Sequence, residues 1–241
     1  MMSAQGHWKI QEVMLQRVAD ALGPDLLLEV AFVGGCTTGL LITDAVSREA
    51  VRFTDDVDLI VHVLGLGSWY RLQQQLAGKG FRSSPEDDVI CRTRLRDGNA
   101  SDLVVDFMPD DASILGFSNR WYADALRVAN DHALPSGTVI RVVAPAYFLG
   151  TKLEAFRGRG NNDPLASRDI EDILNVVDGR ATLGDEVRQA PDALRADIAT
   201  GIGELLRHRD FEYAVQATAR NNRQREELIF ARLDALAAFK R

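Results

Sequence analysis

Apolar residues recur at helical spacing over residues 8–22, where Ile10, Val13, Met14, Val18 and Leu22 mark one face before Gly23 and Pro24 close the segment. The pattern then becomes a nearly continuous apolar run from Leu27 to Val33. That run predicts a buried strand leading into GGCTTGLLITDA, a strand-to-helix turn punctuated by Gly34 and Gly35. Strands are expected near Val51–Phe53 and over Asp56–Val63, followed by a helix over WYRLQQQLAGKG that Gly78 and Gly80 stop. VICRTRLRD and DLVVDFMPD read as a hairpin turning at Gly98 and Asn99, and a helix over 120–130 and a strand over Thr138–Val143 finish this part. From Ala144 the β-branched alternation gives way to helical patterns over 145–157, 168–178, 193–208 and 211–239. GRGNNDPLAS separates the first two as a loop. The expected class is α+β: a mixed sheet flanked by helices over 1–143, then a helical region over 144–241.

Composition narrows the class without naming a function. With 241 residues, 46% apolar and 26% charged, the chain can bury a full core. The longest apolar candidate, LLLEVAFVGG, is interrupted by Glu29, so no membrane span is expected, and MMSAQGHWKIQEV lacks the pattern of a signal peptide. Two cysteines, Cys36 and Cys91, are too few for a disulfide framework and lack metal-ligand spacing, so a cytoplasmic location is the expectation. A net charge of −7 argues against non-specific coating of nucleic acid but leaves room for a local basic patch.

The chemistry concentrates at RFTDDVDLIV. Residues two apart on a strand share a face, so Asp56 and Asp58 project side by side while Val57, Leu59, Val61 and Val63 face the opposite layer. Adjacent carboxylates repel unless a cation lies between them, and an oxygen-binding divalent ion is the natural resolution. Asp106, flanked by apolar residues in SDLVVDFMPD, needs a partner or a metal if it is buried. Asp55 reads as a turn residue, and Asp102 and Asp110, near the strand ends, as solvated. Gly34 and Gly35 let backbone N–H groups approach an anion at a helix start, where Thr37 and Thr38 can add hydroxyls; alone, such a pair is commonly just a tight turn. Together these needs belong to one reaction: glycine amides hold a triphosphate, Asp56, Asp58 and Asp106 hold Mg2+ (or Mn2+), and a hydroxyl displaces pyrophosphate.

Gly34, Gly35, the Asp56-Val57-Asp58 triplet and the later strand residue Asp106 resemble the nucleotidyltransferase superfamily of the polymerase β type. APAYFLGTKLEAFRGRGNNDPLASRDIEDIL is similar to the K-x-x-A-x-x-R and R-D-x-x-D segments of the AbiE-type toxin nucleotidyltransferases, with the match falling on Lys152, Arg157, Arg168, Asp169 and Asp172. The resemblance covers residues 31–174. It implies a nucleotidyltransferase-type sheet whose helical C-terminal region completes the active-site cleft, and an NTP as nucleotide donor. It further implies a tRNA end as acceptor and an antitoxin protein as partner. Lys152 and Arg157 would then meet the triphosphate. Asp169 and Asp172, three apart on one helix face, could hold the lysine or help the acceptor. The plainer reading of RDIEDI is a capped helix start whose acids offset the dipole.

Arg92, Arg94 and Arg96 alternate along one strand face and could meet a phosphate or form a solvated edge. The four histidines have no metal spacing. Residues 201–241 carry eight Lys or Arg against six acids, as expected of a helix with a solvated basic face. Two rivals use the same residues: a nucleotidyltransferase acting on a small molecule such as an aminoglycoside, and a module that binds nucleotide without turnover.

Overall fold

The computed structural model describes residues 6–85, 87, 89–96, 102–116 and 118–239. In chain order the elements are α1 (His7–Leu27), β1 (Val30–Val33), a 3-10 turn (Gly35–Thr37), α2 (Thr38–Leu41), α3 (Ala45–Arg48) and β2 (Asp56–Val61). There follow α4 (Leu66–Gly78), β3 (Phe81–Arg82), β4 (Arg92–Leu95), β5 (Leu103–Pro109), α5 (Ala112–Leu115), α6 (Tyr122–Arg127), β6 (Asn130–Ala133) and β7 (Val139–Val142). The chain ends in six helices: α7 (Pro145–Arg159), α8 (Arg168–Gly179), α9 (Leu183–Gln189), α10 (Asp192–Leu205), α11 (Phe211–Ala219) and α12 (Arg223–Ala237). The fold is α+β, and the described residues divide into two compact units. The first runs up to Thr37 and from Phe53 to Ala144; the second joins Thr38–Arg52 to the residues from Pro145 onward.

The first unit is built on one seven-stranded mixed sheet in the order β3-β4-β5-β2-β1-β7-β6. β2 lies between β1, which it meets antiparallel, and β5, which it meets parallel. Alternation along the strands sets their faces. Val57 and Leu59 of β2 and Val105 and Phe107 of β5 are fully buried on one side, where Phe107 meets Phe81 edge-on with ring centroids 5.3 Å apart. The other side of the same two strands carries the acids.

The second unit is helical. Its core combines Phe148 and Leu149 of α7 with Ile173 of α8, Ile198 of α10 and Ile229 and Leu233 of α12, all completely shielded from solvent. Residues 38–52, expected within the sheet unit, belong here instead. Gly179 at the end of α8 accepts bonds from the Thr43 and Asp44 N–H groups, and Arg180 Nη1 donates to the Leu41 carbonyl. A Cβ at Gly179 would fall 2.5 Å from Ile42 Cγ2, so glycine permits this packing.

Boundaries depart from the sequence pattern where single backbone positions decide. α1 continues past Leu22, but it breaks at Gly23, with φ 69 and ψ 172, and Pro24 opens the next turn, where its missing N–H is tolerated. The expected 211–239 helix is two helices, because Arg220 and Asn221 take left-handed φ of 53 and 59 and Asn222 caps the second through Arg225 N. Residues 51–53 form no strand, whereas β3, β6 and α9 appear unannounced. The expected Gly98–Asn99 turn lies outside the described residues. Among the described residues, no helix is long and apolar enough to cross a membrane.

Candidate functional site

The acidic face of the first unit begins at the turn after β1. Gly34 sits at φ +81, a conformation that side-chain-bearing residues rarely adopt, and β1 pairs Val33 with Asp58. The Asp58 carboxylate packs directly over the Gly34 backbone, so a Cβ there would stand 1.9 Å from Asp58 Oδ2. Thr37 closes this turn by donating to the Gly34 carbonyl from both its N–H (3.2 Å) and its Oγ1 (2.9 Å). Its hydroxyl is therefore engaged in shaping the turn. Thr38, the first residue of the second unit, is buried, and its Oγ1 has no hydrogen-bond partner among the described residues.

Asp56 and Asp58 share one face of β2, both half-buried, and Asp58 stands in register with Asp106 of β5. Thr54, itself buried, donates its hydroxyl to Asp56 Oδ1 and fixes that carboxylate. Asp106 is buried and answers to Arg92, its register partner on β4: Nε donates to Oδ1 at 2.9 Å and Nη2 to Oδ2 at 2.7 Å. The fork matches the carboxylate oxygen for oxygen, the strongest geometry available to this pair. It also raises the Arg92 pKa, first through the hydrogen bond that the guanidinium donates to Asp106 and against the opposing effect of burial. Beside it, burial and the Asp106 charge push the Cys91 thiol up to about 12. Cys36 and Cys91 are both buried thiols.

The remaining acids sort themselves by partner. Asp55 is exposed, as a turn residue should be. Asp110, expected to be solvated, is shielded instead: it accepts from the Val63 N–H at 3.2 Å and pairs with His62 Nδ1 at 2.7 Å. Asp102 pairs with Arg96 and Asp87 with Arg94, so the three strand arginines each meet an acid.

Asp56, Asp58 and Asp106 offer only oxygen ligands, which suits a hard divalent cation such as Mg2+ or Mn2+. Among the described residues no group of three such side chains is gathered closely enough to hold an ion, and Asp106 turns both its oxygens to Arg92. Thr54 engages Oδ1 of Asp56, and the Asp58 carboxylate packs against the Gly34 backbone. The donor chemistry suits such an ion, and Asp56 and Asp58 are the carboxylates that could hold it.

In the second unit, α7 and α8 bring together a buried ionic network. Lys152 Nζ donates to Asp169 Oδ1 at 3.0 Å and to Asp172 Oδ2 at 2.7 Å. Arg52 adds a fork to Asp172 at 3.0 and 2.9 Å, and Arg159 adds one to Asp169 at 3.1 Å from each of two nitrogens. Burial alone would lower the Lys152 pKa, but the Asp172 and Asp169 carboxylates outweigh it and hold the value above the ordinary one. Burial likewise works to raise Asp169, and Lys152 and Arg159 overcome it, leaving that carboxyl below its ordinary range. Lys152 thus stands in a carboxylate cage, not at an open phosphate site. Arg157, expected beside it, turns away to Asp197 at 2.9 Å, and Arg168 is exposed at the start of α8.

Four participants escaped the sequence reading or were underweighted by it. Arg159 carried a usable signal, since it lies seven residues after Lys152 and so shares its helix face, whereas Arg157 at five does not. Arg92 carried a partial one in the arginine alternation. Arg52 had none, being 120 residues from Asp172, and Thr54 is legible only once its bond to Asp56 is seen. A scan of the chain against protein-family models finds no match, and a search of curated proteins finds none.

Proposed function

We propose that this chain is a Mg2+-dependent nucleotidyltransferase that moves a nucleoside monophosphate from an NTP to an acceptor hydroxyl. One observation supports the reading above the others: the Asp58 carboxylate rests on the backbone of Gly34, so the glycine turn suited to phosphate and the acidic strand suited to a metal meet at one point of the first unit.

In this reading Asp56 and Asp58 hold the divalent ion, Asp56 oriented by Thr54. When bound, that ion offsets phosphate charge and makes an acceptor hydroxyl more acidic. Gly34 and Gly35 keep the turn clear of side chains so that N–H groups can approach phosphate oxygens. Thr37 stiffens the turn by holding the Gly34 carbonyl. Asp106, aimed by Arg92, orients the acceptor hydroxyl. In the second unit Lys152 is a charge fixed by Asp169 and Asp172, and Arg157 is tied to Asp197.

The resemblance to AbiE-type toxins carries the acceptor and the setting: a tRNA end, in a toxin–antitoxin or phage-defence system with an antitoxin as protein partner. The test is incubation with Mg2+, each of the four α-labelled NTPs and either total RNA or a panel of hydroxylated antibiotics. Label on RNA supports the reading in full, label on an antibiotic moves the acceptor to a small molecule, and label in neither pool contradicts transfer.

A further inference from the structure

Three carboxylates on one sheet face require positive charge, and the structure supplies one in Arg92. Asp58 and Asp106 are register partners on neighbouring parallel strands, whose backbones lie roughly 4.8 Å apart. Asp56 lies two residues along the same face. Arg94 and Arg96 are engaged further along by Asp87 and Asp102, so of the three strand arginines it is Arg92 that meets the cluster. Its fork takes both oxygens of Asp106. The two partners differ in freedom: the Asp106 side chain is 10% exposed and fixed within the sheet, whereas that of Arg92 is 34% exposed and has room to withdraw.

We propose that Arg92 is the resident counter-ion of the acidic face: it balances Asp106 while no metal is bound and yields one carboxylate oxygen when a divalent ion binds at Asp56 and Asp58. This rests on the metal-dependent reading above. Arg92 is thus a positioning residue that acts through Asp106 and competes with the ion. A long, forked cation suits that exchange, because one N–H–oxygen contact can persist while the other is released.

The exchange is read by thermal unfolding and by Mn2+ titration calorimetry, using the full chain stripped with EDTA and its Arg92→Gln and Asp106→Asn variants. Without metal, Arg92→Gln is expected to melt roughly 3–6 °C below the parent, the size of a lost charge-assisted contact in a chain of this length. Mg2+ should restore most of that difference, and Arg92→Gln should bind Mn2+ roughly threefold to tenfold more tightly than the parent. Asp106→Asn should lose that gain when combined with Arg92→Gln. An equal melting deficit with and without Mg2+, together with unchanged Mn2+ affinity, would overturn the proposal and leave a plain structural salt bridge. Failure of every form to bind Mn2+ would instead overturn the metal-dependent reading, and this inference with it. Should Arg92→Gln not fold, Arg92→Lys, which keeps the charge but loses the fork, carries the same comparison, with a smaller deficit expected.

Discussion

Lys152 Nζ stands 2.7 Å from Asp172 Oδ2, and Asp172 is completely shielded from solvent. Removing one member of such a pair leaves a buried charge short of its partner. Lys152→Met is therefore expected to destabilise the protein by about 3 kcal/mol, near the lower bound for breaking a buried pair, because Arg52 and Arg159 still serve the two acids. Urea unfolding of Lys152→Met, Asp172→Asn and the double variant checks this. The double variant should lose less than the sum of the singles, as directly coupled residues do.

The same network sets a dependence on pH with two limbs. Asp169 is held below its ordinary pKa of 3.8, so its contribution is present above that value and fades as pH falls toward the lowered one. Lys152 is held above its ordinary 10.5, so its contribution is present below that value and fades as pH rises through the raised one. Stability measured by urea unfolding across pH should show both limbs in the parent. Asp169→Asn should flatten the acid limb and Lys152→Met the alkaline one.

How far the sequence reached is clearest at these residues. Period-two alternation was enough to place Asp56 and Asp58 on one face and Asp106 beside hydrophobic neighbours, and spacing put Asp169 and Asp172 on one helix face. Long-range partners were beyond it: the bond from Arg52 to Asp172 spans 120 residues, and the pairing of Arg92 with Asp106 depends on strand register. The assignment of residues 38–52 to the helical unit depends on the Gly179 carbonyl and on a missing Cβ, which no periodicity reveals.

Gly34 offers a contrast between backbone strain and lost space. Gly34→Ala would carry both a disfavoured φ of +81 and a Cβ 1.9 Å from Asp58 Oδ2, whereas Gly65→Ala carries a similar φ of +77 with nothing within 4 Å. Gly65, with φ 77 and ψ 177, lies in a region essentially reserved for glycine, so Gly65→Ala is expected to lose about 2 kcal/mol and Gly34→Ala clearly more. Paired thermal unfolding curves would measure the difference, and equal losses would contradict the close packing of Asp58.

Cys91 provides a chemical probe of the same face. A thiol pushed from an ordinary 9.0 to about 12 holds roughly a thousandfold less thiolate at neutral pH, and its burial blocks reagents as well. In a Cys36→Ser background, iodoacetamide labelling should therefore follow unfolding, being negligible in the native protein and rapid in urea. Fast labelling of the native protein would contradict the burial of the strand that carries Arg92.

The central claim is that Asp58 belongs to a metal-dependent transfer site, and Asp58→Asn tests it with little change of shape. Parent and variant, shown by thermal unfolding to be folded, are incubated with Mg2+, α-labelled NTPs and total RNA, and the labelled RNA is counted. The expected result is label on RNA with the parent, abolished by EDTA, and a loss of at least about a hundredfold in the variant, the size of removing a principal electrostatic contributor. A parent that labels nothing, or a variant that labels as well as the parent, would contradict the account.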